Sequence, residues 1–177
     1  ALLQPPNTSS TVKVRTGVAG SASRMGHRLV LNVEEWSAQV EVTDGVVVSV
    51  QFRADLETLH VESGRGGVTP LTVVDKQVIR RNAAKVLDVG TYPEVTFSST
   101  EIEVTEDTVT VTGDLTIHDV TLPLTAELTR DGDHVTGSIP VVQSDFGIRP
   151  YSAMLGQLKV LDEVTVDLDI TVLPAAQ

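Results

Sequence analysis

The chain has 177 residues, 41% of them hydrophobic, and a formal net charge of −11. This length fits one domain with a substantial buried core. The acidity argues against nucleic acid as a partner and against electrostatic docking on an anionic membrane. The absence of cysteine excludes disulfides, thiol nucleophiles and zinc sites with Cys ligands.

Residues 1–10, rich in Pro, Ser and Asn, predict a flexible tail ahead of a single domain over residues 11–173. This segment lacks the basic flank and the long apolar region of a signal peptide. We therefore expect a cytoplasmic protein, or a secreted or periplasmic one if a signal has been removed. No run approaches the ~18 apolar residues of a membrane span, so no integral membrane insertion is expected.

Alternating polar and apolar residues predict strands in the first third of the chain, around residues 12–18, 29–33 and 46–52. Asp44 and Gly45 form a strong turn signal before the last of these strands. The small residues of segment 19–28 leave a turn and a short helix as alternatives. The sequence SGRGG at residues 63–67 predicts a flexible loop.

One segment, about residues 72–88, predicts an α-helix. Thr72 followed by Asp75 resembles a capping box, in which each side chain satisfies a free backbone amide of the other residue. A helical stripe of mostly apolar residues follows it: Val78, Ile79, Asn82, Ala83 and Val86.

A long hairpin is predicted over residues 92–124, with its turn at Glu106 and Asp107. His118 and Asp119 then lead into a third strand, and residues 164–172 form a regular closing strand. The total is about eight strands and one helix without βαβ alternation, which favours an all-β fold with an antiparallel sheet. Long meandering strands favour closure into a barrel that is wide enough for one small ligand.

Four segments resemble the YceI-like family: YPEVTFSST, GDLTIHDVTLPLTAEL, SDFGI and KVLDEVTVDLDITV, which cover much of residues 92–172. The N-terminal half is divergent. It reads VKVRTGVAGSASRMGHRLVLNV where many members have an aromatic-Ile-Asp strand and a His-Ser step. The resemblance implies a lipocalin-like β-barrel that binds an isoprenoid or another fatty-chain lipid.

The candidate ligand-binding residues follow from the predicted inward faces. The hairpin would offer Phe97, Val111, Leu115 and Ile117, with Gly113 leaving space between them. The apolar loop at residues 144–157 would act either as a plug in the core or as a lid over the cavity that uses Phe146, Tyr151 and Leu155. His27 would either line the cavity or serve packing.

The sequence predicts no catalytic residue, metal ligand or cofactor. Its four histidines show no metal-binding spacing, and no nucleophile elbow is present. The favoured hypothesis is a non-catalytic carrier of a hydrophobic small molecule. A filled-core barrel that serves protein interaction or stress-related assembly is the alternative, and a weak enzyme that uses His27 or His118 is the third. Monomer and homodimer both remain open as oligomeric states.

Overall fold

The computed structural model describes residues 2–5 and 8–172. These ranges contain fourteen strands and one α-helix. The strands are β1 (Leu2–Leu3), β2 (Thr11–Arg15), β3 (Val18–Ala19), β4 (His27–Val33), β5 (Trp36–Thr43), β6 (Val46–Asp55), β7 (Leu59–Gly66), β8 (Glu94–Val104), β9 (Thr108–Ile117), β10 (Val120–Asp131), β11 (His134–Val142), β12 (Ser152–Ala153), β13 (Leu158–Val160) and β14 (Glu163–Thr171). The helix α1 spans Val73–Leu87.

Eleven strands form one antiparallel sheet in the order β1-β5-β6-β8-β9-β10-β11-β14-β2-β4-β7, and β12, β13 and β3 form a small second sheet. The main sheet curls into a half-barrel, so the predicted antiparallel all-β class is confirmed. Much of the excess over the predicted eight comes from β1, β3, β12 and β13, which have only two or three residues each. Such short strands are too brief for alternation to reveal them.

Among the described residues, no continuous ladder of hydrogen bonds closes the sheet. β1 and β7 lie at its two edges, and β10 pairs with β11 at only three positions, residues 129–131 with 134–136. Pro140 lies beyond this short ladder and pairs with Thr165 of β14 on its other side. A proline is tolerated there because no β10 carbonyl needs its missing N–H.

Two-residue turns set the register of two hairpins. Asp44 and Gly45 have φ values of 53° and 77°, and His118 and Asp119 have φ values of 54° and 61°. Paired positive φ values are typical of type I′ turns, whose twist matches that of the flanking strands. Both predicted turns are therefore confirmed.

The helix begins as the sequence predicts. The Thr72 hydroxyl accepts a hydrogen bond from the Asp75 amide at 3.1 Å, and the Asp75 carboxylate accepts one from the Thr72 amide at 2.9 Å. The bond that the Thr72 amide donates to the carboxylate is the main cause that holds the pKa of Asp75 below its usual value, and the nearby Thr72 side chain adds to this effect. The helix ends at Leu87 and is capped by Asp88, which adopts the left-handed conformation with φ 50°.

The N-terminal segment differs from the predicted flexible tail. Leu2 and Leu3 form β1 and pair with Gln39 and Ala38 of β5. Leu3 is buried in the main core, because an apolar side chain at this edge covers the interior of the sheet. The tail prediction was therefore wrong for these residues.

Two glycine-rich segments are more ordered than a loop. Segment 63–67 belongs largely to β7, whose residues Ser63–Gly66 pair with Val30–His27 of β4, so the loop prediction was wrong. Segment 19–28 contains the end of β3 and a short 3₁₀ turn at Ser23–Met25.

Candidate functional site

The interior of the curved sheet holds a cavity of about 430 Å³. Its size lies within the range of about 300–1,000 Å³ that is typical of small-molecule sites. No large side chain among the described residues is completely buried. The interior is therefore not filled with side chains, as the alternative hypothesis of a filled-core barrel requires.

Helix α1 closes one side of the cavity. Its inner face contributes Ile79, Asn82, Ala83, Val86 and Leu87 to the wall. These positions follow the predicted stripe, since residues three and four apart share one face of a helix. The predicted member Val78 is 44% exposed and lies outside the wall.

The central hairpin supplies much of the opposite wall. Phe97, Val111, Leu115 and Ile117 all line the cavity. Phe97 pairs with Leu115 across the β8–β9 ladder. The threonines that alternate with them face outward, where the Thr112 and Thr125 hydroxyls lie 3.1 Å apart.

Gly113 does not leave the predicted space in the cavity. A Cβ at Gly113 would lie 2.7 Å from Phe97 Cζ and 2.8 Å from Ser99 Cα, and closer still to the Ser98 carbonyl oxygen. The ladder between β8 and β9 changes register between Ser99 and Glu101, which indicates a bulge at this point. The glycine is therefore needed for close approach of the backbone, and the prediction of open space was wrong.

The three lid candidates of the 144–157 loop have different positions. Phe146 is buried with Val141 and Ile148 in a second core cluster and does not line the cavity. Tyr151 does line it. Leu155 is fully exposed, on a left-handed backbone with φ 55°. The first part of the loop therefore acts as a plug, and Leu155 does not cover the cavity.

The histidines lie outside the cavity wall. His27 Nε2 lies 2.7 Å from the Thr69 carbonyl oxygen, so this residue ties down the segment before the helix. The His118 ring packs on Tyr92 with centroids 4.3 Å apart. No histidine within residues 2–5 and 8–172 bonds to a hydroxyl or belongs to a cluster of potential metal ligands.

Gln143 is a cavity residue that the sequence reasoning missed. It lines the wall but is only 9% exposed, and its Nε2 donates to the Leu161 carbonyl oxygen at 3.1 Å. A signal for it existed, because Ile139, Val141 and Gln143 continue the two-residue alternation of β11. Gln143 was not recognised as part of this series because it follows the apolar end of the strand.

The cavity wall is almost entirely aliphatic. Within the described part of the chain, the wall residues with polar side-chain atoms are Trp36, Asn82, Gln143 and Tyr151, and no acidic or basic side chain joins them. Charged groups lie on the outer face instead. There, the Arg15 guanidinium and Ser138 hydroxyl hydrogen bond the Asp167 carboxylate and lower its pKa, despite the opposing effect of burial.

None of the described helices has the length and apolar character that crossing a membrane would require.

The YceI-like domain family matches residues 4–172 of the chain. A UPF0312 protein of Pseudomonas putida (strain W619) is 37% identical over 101 residues, which cover 51% of this chain and 48% of that protein. A UPF0312 protein of Pseudomonas syringae pv. tomato is 37% identical over 99 residues, which cover 48% and 46% of the two chains. The chain spans about half the length of these curated relatives.

Two solved structures share the fold. BcnA of Burkholderia cenocepacia has a TM-score of 0.68 at 21% identity, over 93% of this chain and 96% of that one. The YCEI protein of Campylobacter jejuni has a TM-score of 0.59 at 12% identity, over 82% and 85% of the two chains.

Proposed function

Because the chain belongs to the YceI-like family, we propose that it binds and carries an extended apolar molecule, an isoprenoid or fatty-chain lipid, without catalysing its conversion. The observation that carries this proposal is the open interior of about 430 Å³ with an aliphatic wall. An interior of this kind is unfavourable to leave filled with water and favourable to fill with hydrocarbon.

The shape of the wall favours a long ligand over a compact one. Along β11, wall residues run from Val135 near one end of the strand to Val141 near the other. This strand has nine residues, which corresponds to about 30 Å at about 3.4 Å per residue. A chain laid along the strands would contact apolar side chains over much of that distance.

The energy of burial also favours a long chain. Each buried methylene contributes about 0.8 kcal/mol, so ten buried carbons contribute roughly 8 kcal/mol. Loss of translational and rotational freedom costs about 4–15 kcal/mol. A ligand with a longer chain, or with a polar head that is also hydrogen bonded, is needed for useful affinity.

The test uses the single tryptophan of the chain. Trp36 lines the cavity, so its fluorescence should change when geranylgeraniol is added, and native mass spectra should show a one-to-one complex. Protein that shows neither the emission change nor the complex would contradict the proposal.

A pair of neighbouring substitutions tests the location. Ala126 lines the cavity, whereas Thr125 is on the outer face of the same strand. Ala126→Phe should fill the ligand path and reduce binding by an order of magnitude or more, while Thr125→Phe adds the same ring outside and should leave binding unchanged. Equal loss in both variants would indicate that the ligand is not inside the sheet.

A further inference from the structure

The polar atoms of the cavity wall indicate what kind of head the ligand carries. Gln143 lies directly after β11, in a 3₁₀ turn formed by Gln143–Phe146. Its backbone is held on both sides, since its amide donates to the Asp162 carbonyl oxygen at 2.9 Å and its carbonyl accepts from the Ile148 amide at 3.2 Å. The side chain therefore projects from a fixed backbone.

One of the two polar atoms of the Gln143 side-chain amide already has a hydrogen-bond partner. Nε2 donates to the Leu161 carbonyl oxygen, which leaves Oε1 as an acceptor without a partner among the described residues. No wholly buried polar side-chain atom in residues 2–5 and 8–172 lacks a partner, so Oε1 retains access to open space. Because Gln143 lines the cavity, we identify that space with the cavity.

The surroundings of Gln143 disfavour an anion. No basic side chain in the described part of the chain lines the cavity, and the carboxylate beside the turn is that of Asp162, which accepts from the Ser144 amide at 2.8 Å. The net charge of −11 also disfavours the binding of an anion. A buried phosphate or carboxylate would lose its hydration without gaining a cation, which is strongly unfavourable.

We propose that the cavity selects a lipid with an uncharged polar head that donates a hydrogen bond, a hydroxyl or amide N–H, to Gln143 Oε1. This inference depends on the proposed function, because it assigns the head of the same ligand. The head then lies at the end of the half-barrel that carries residues 143–148, beside Leu161. The hydrocarbon extends along β11 toward Val135 at the other end.

The experiment compares three molecules with one hydrocarbon chain: geranylgeraniol, its methyl ether and geranylgeranyl diphosphate. Dissociation constants come from Trp36 fluorescence, and stoichiometry comes from native mass spectrometry. The alcohol should bind more tightly than the diphosphate by about tenfold or more, since the anion has no buried partner. It should bind about two- to tenfold more tightly than the ether, which cannot donate a hydrogen bond.

Substitution of Gln143 connects this preference to the proposed acceptor. Gln143→Leu should bind the alcohol and the ether equally, while Gln157→Leu, a change at an exposed glutamine, should keep the preference for the alcohol. Retained binding of the ether by Gln143→Leu checks that its cavity is intact. If that variant does not fold, the comparison of the alcohol with the ether in the unmodified protein still decides.

These measurements distinguish a wrong assignment of the head from a wrong assignment of the carrier function. Equal or tighter binding of the diphosphate, or equal binding of the alcohol and the ether, overturns the neutral donor head but leaves the carrier function standing. Absence of binding by all three molecules overturns the carrier function and this inference with it.

Discussion

Gly113 lies against the backbone of Ser99, so closely that a Cβ at Gly113 would come within 2.8 Å of the Ser99 Cα. The bulge in β8 brings this backbone toward β9. A side chain at Gly113 would have to displace main-chain atoms, which is more difficult than moving the end of a flexible side chain.

Gly113→Ala should therefore lower the free energy of unfolding by about 1–3 kcal/mol, the usual range for an overpacked core. The measurement is the urea midpoint of the variant against the unmodified protein. Gly90→Ala is the matched control, since a Cβ there meets no atom of the described residues within 4 Å. Equal midpoints for the two variants would contradict the close approach at Gly113.

The alternation of β9 gives a second prediction. Leu115 points into the cavity, and Thr112 points outward toward Thr125. Leu115→Asp should destabilise the protein by about 2–5 kcal/mol, because it removes a half-buried leucine from the wall and places a carboxylate among aliphatic side chains. Thr112→Asp should cost little in a chemical denaturation curve, and comparable losses would mean that the register is wrong.

The capping box gives a third prediction. Thr72→Ala removes the acceptor of the Asp75 amide and should cost about 0.5–2 kcal/mol. Thr72→Ser keeps the hydroxyl and is the control. A denaturation midpoint that is the same for the Ala and Ser variants would show that the hydroxyl contributes no stability.

Most of the fold could be predicted from local patterns in the sequence. The turn at His118 and Asp119, the cap at Thr72 and the inward face of β9 are each determined by residues that lie close together in the chain. Strands such as β1 could not be predicted in this way, because Leu2 and Leu3 become a strand only through pairing with distant residues of β5. Segment 63–66 likewise forms a strand because β4 pairs with it.

The site was less predictable than the fold for the same reason. Alternation identified the wall residues Val111 and Leu115, but it does not report how closely the next strand approaches, which decides the role of Gly113. Gln143 shares the inward parity of β11, yet its importance depends on its bond to Leu161, a contact that the sequence does not show.

The Asp167 carboxylate links stability to pH. It receives hydrogen bonds from Arg15 and Ser138, and the Arg15 bond is the main cause of its lowered pKa. A carboxyl whose pKa is lower in the folded protein stabilises the fold above its unfolded pKa, near 3.8, and this contribution is lost as the pH falls through the folded value.

Asp167→Asn should therefore be less stable than the unmodified protein at pH 7, by no more than about 1 kcal/mol because the pair is partly exposed and screened by solvent. The difference should shrink as the pH falls below 3.8, and also at high salt, which screens the ion pair. Urea midpoints from pH 7 to pH 3 measure this difference in stability.

Asp133→Asn is the control, because the Asp133 side chain makes no hydrogen bond or ion pair with the described residues. A gap between Asp167→Asn and the unmodified protein that stays constant across this pH range would show that the charge of Asp167 contributes nothing, and that the substitution acts through packing or the Ser138 contact instead.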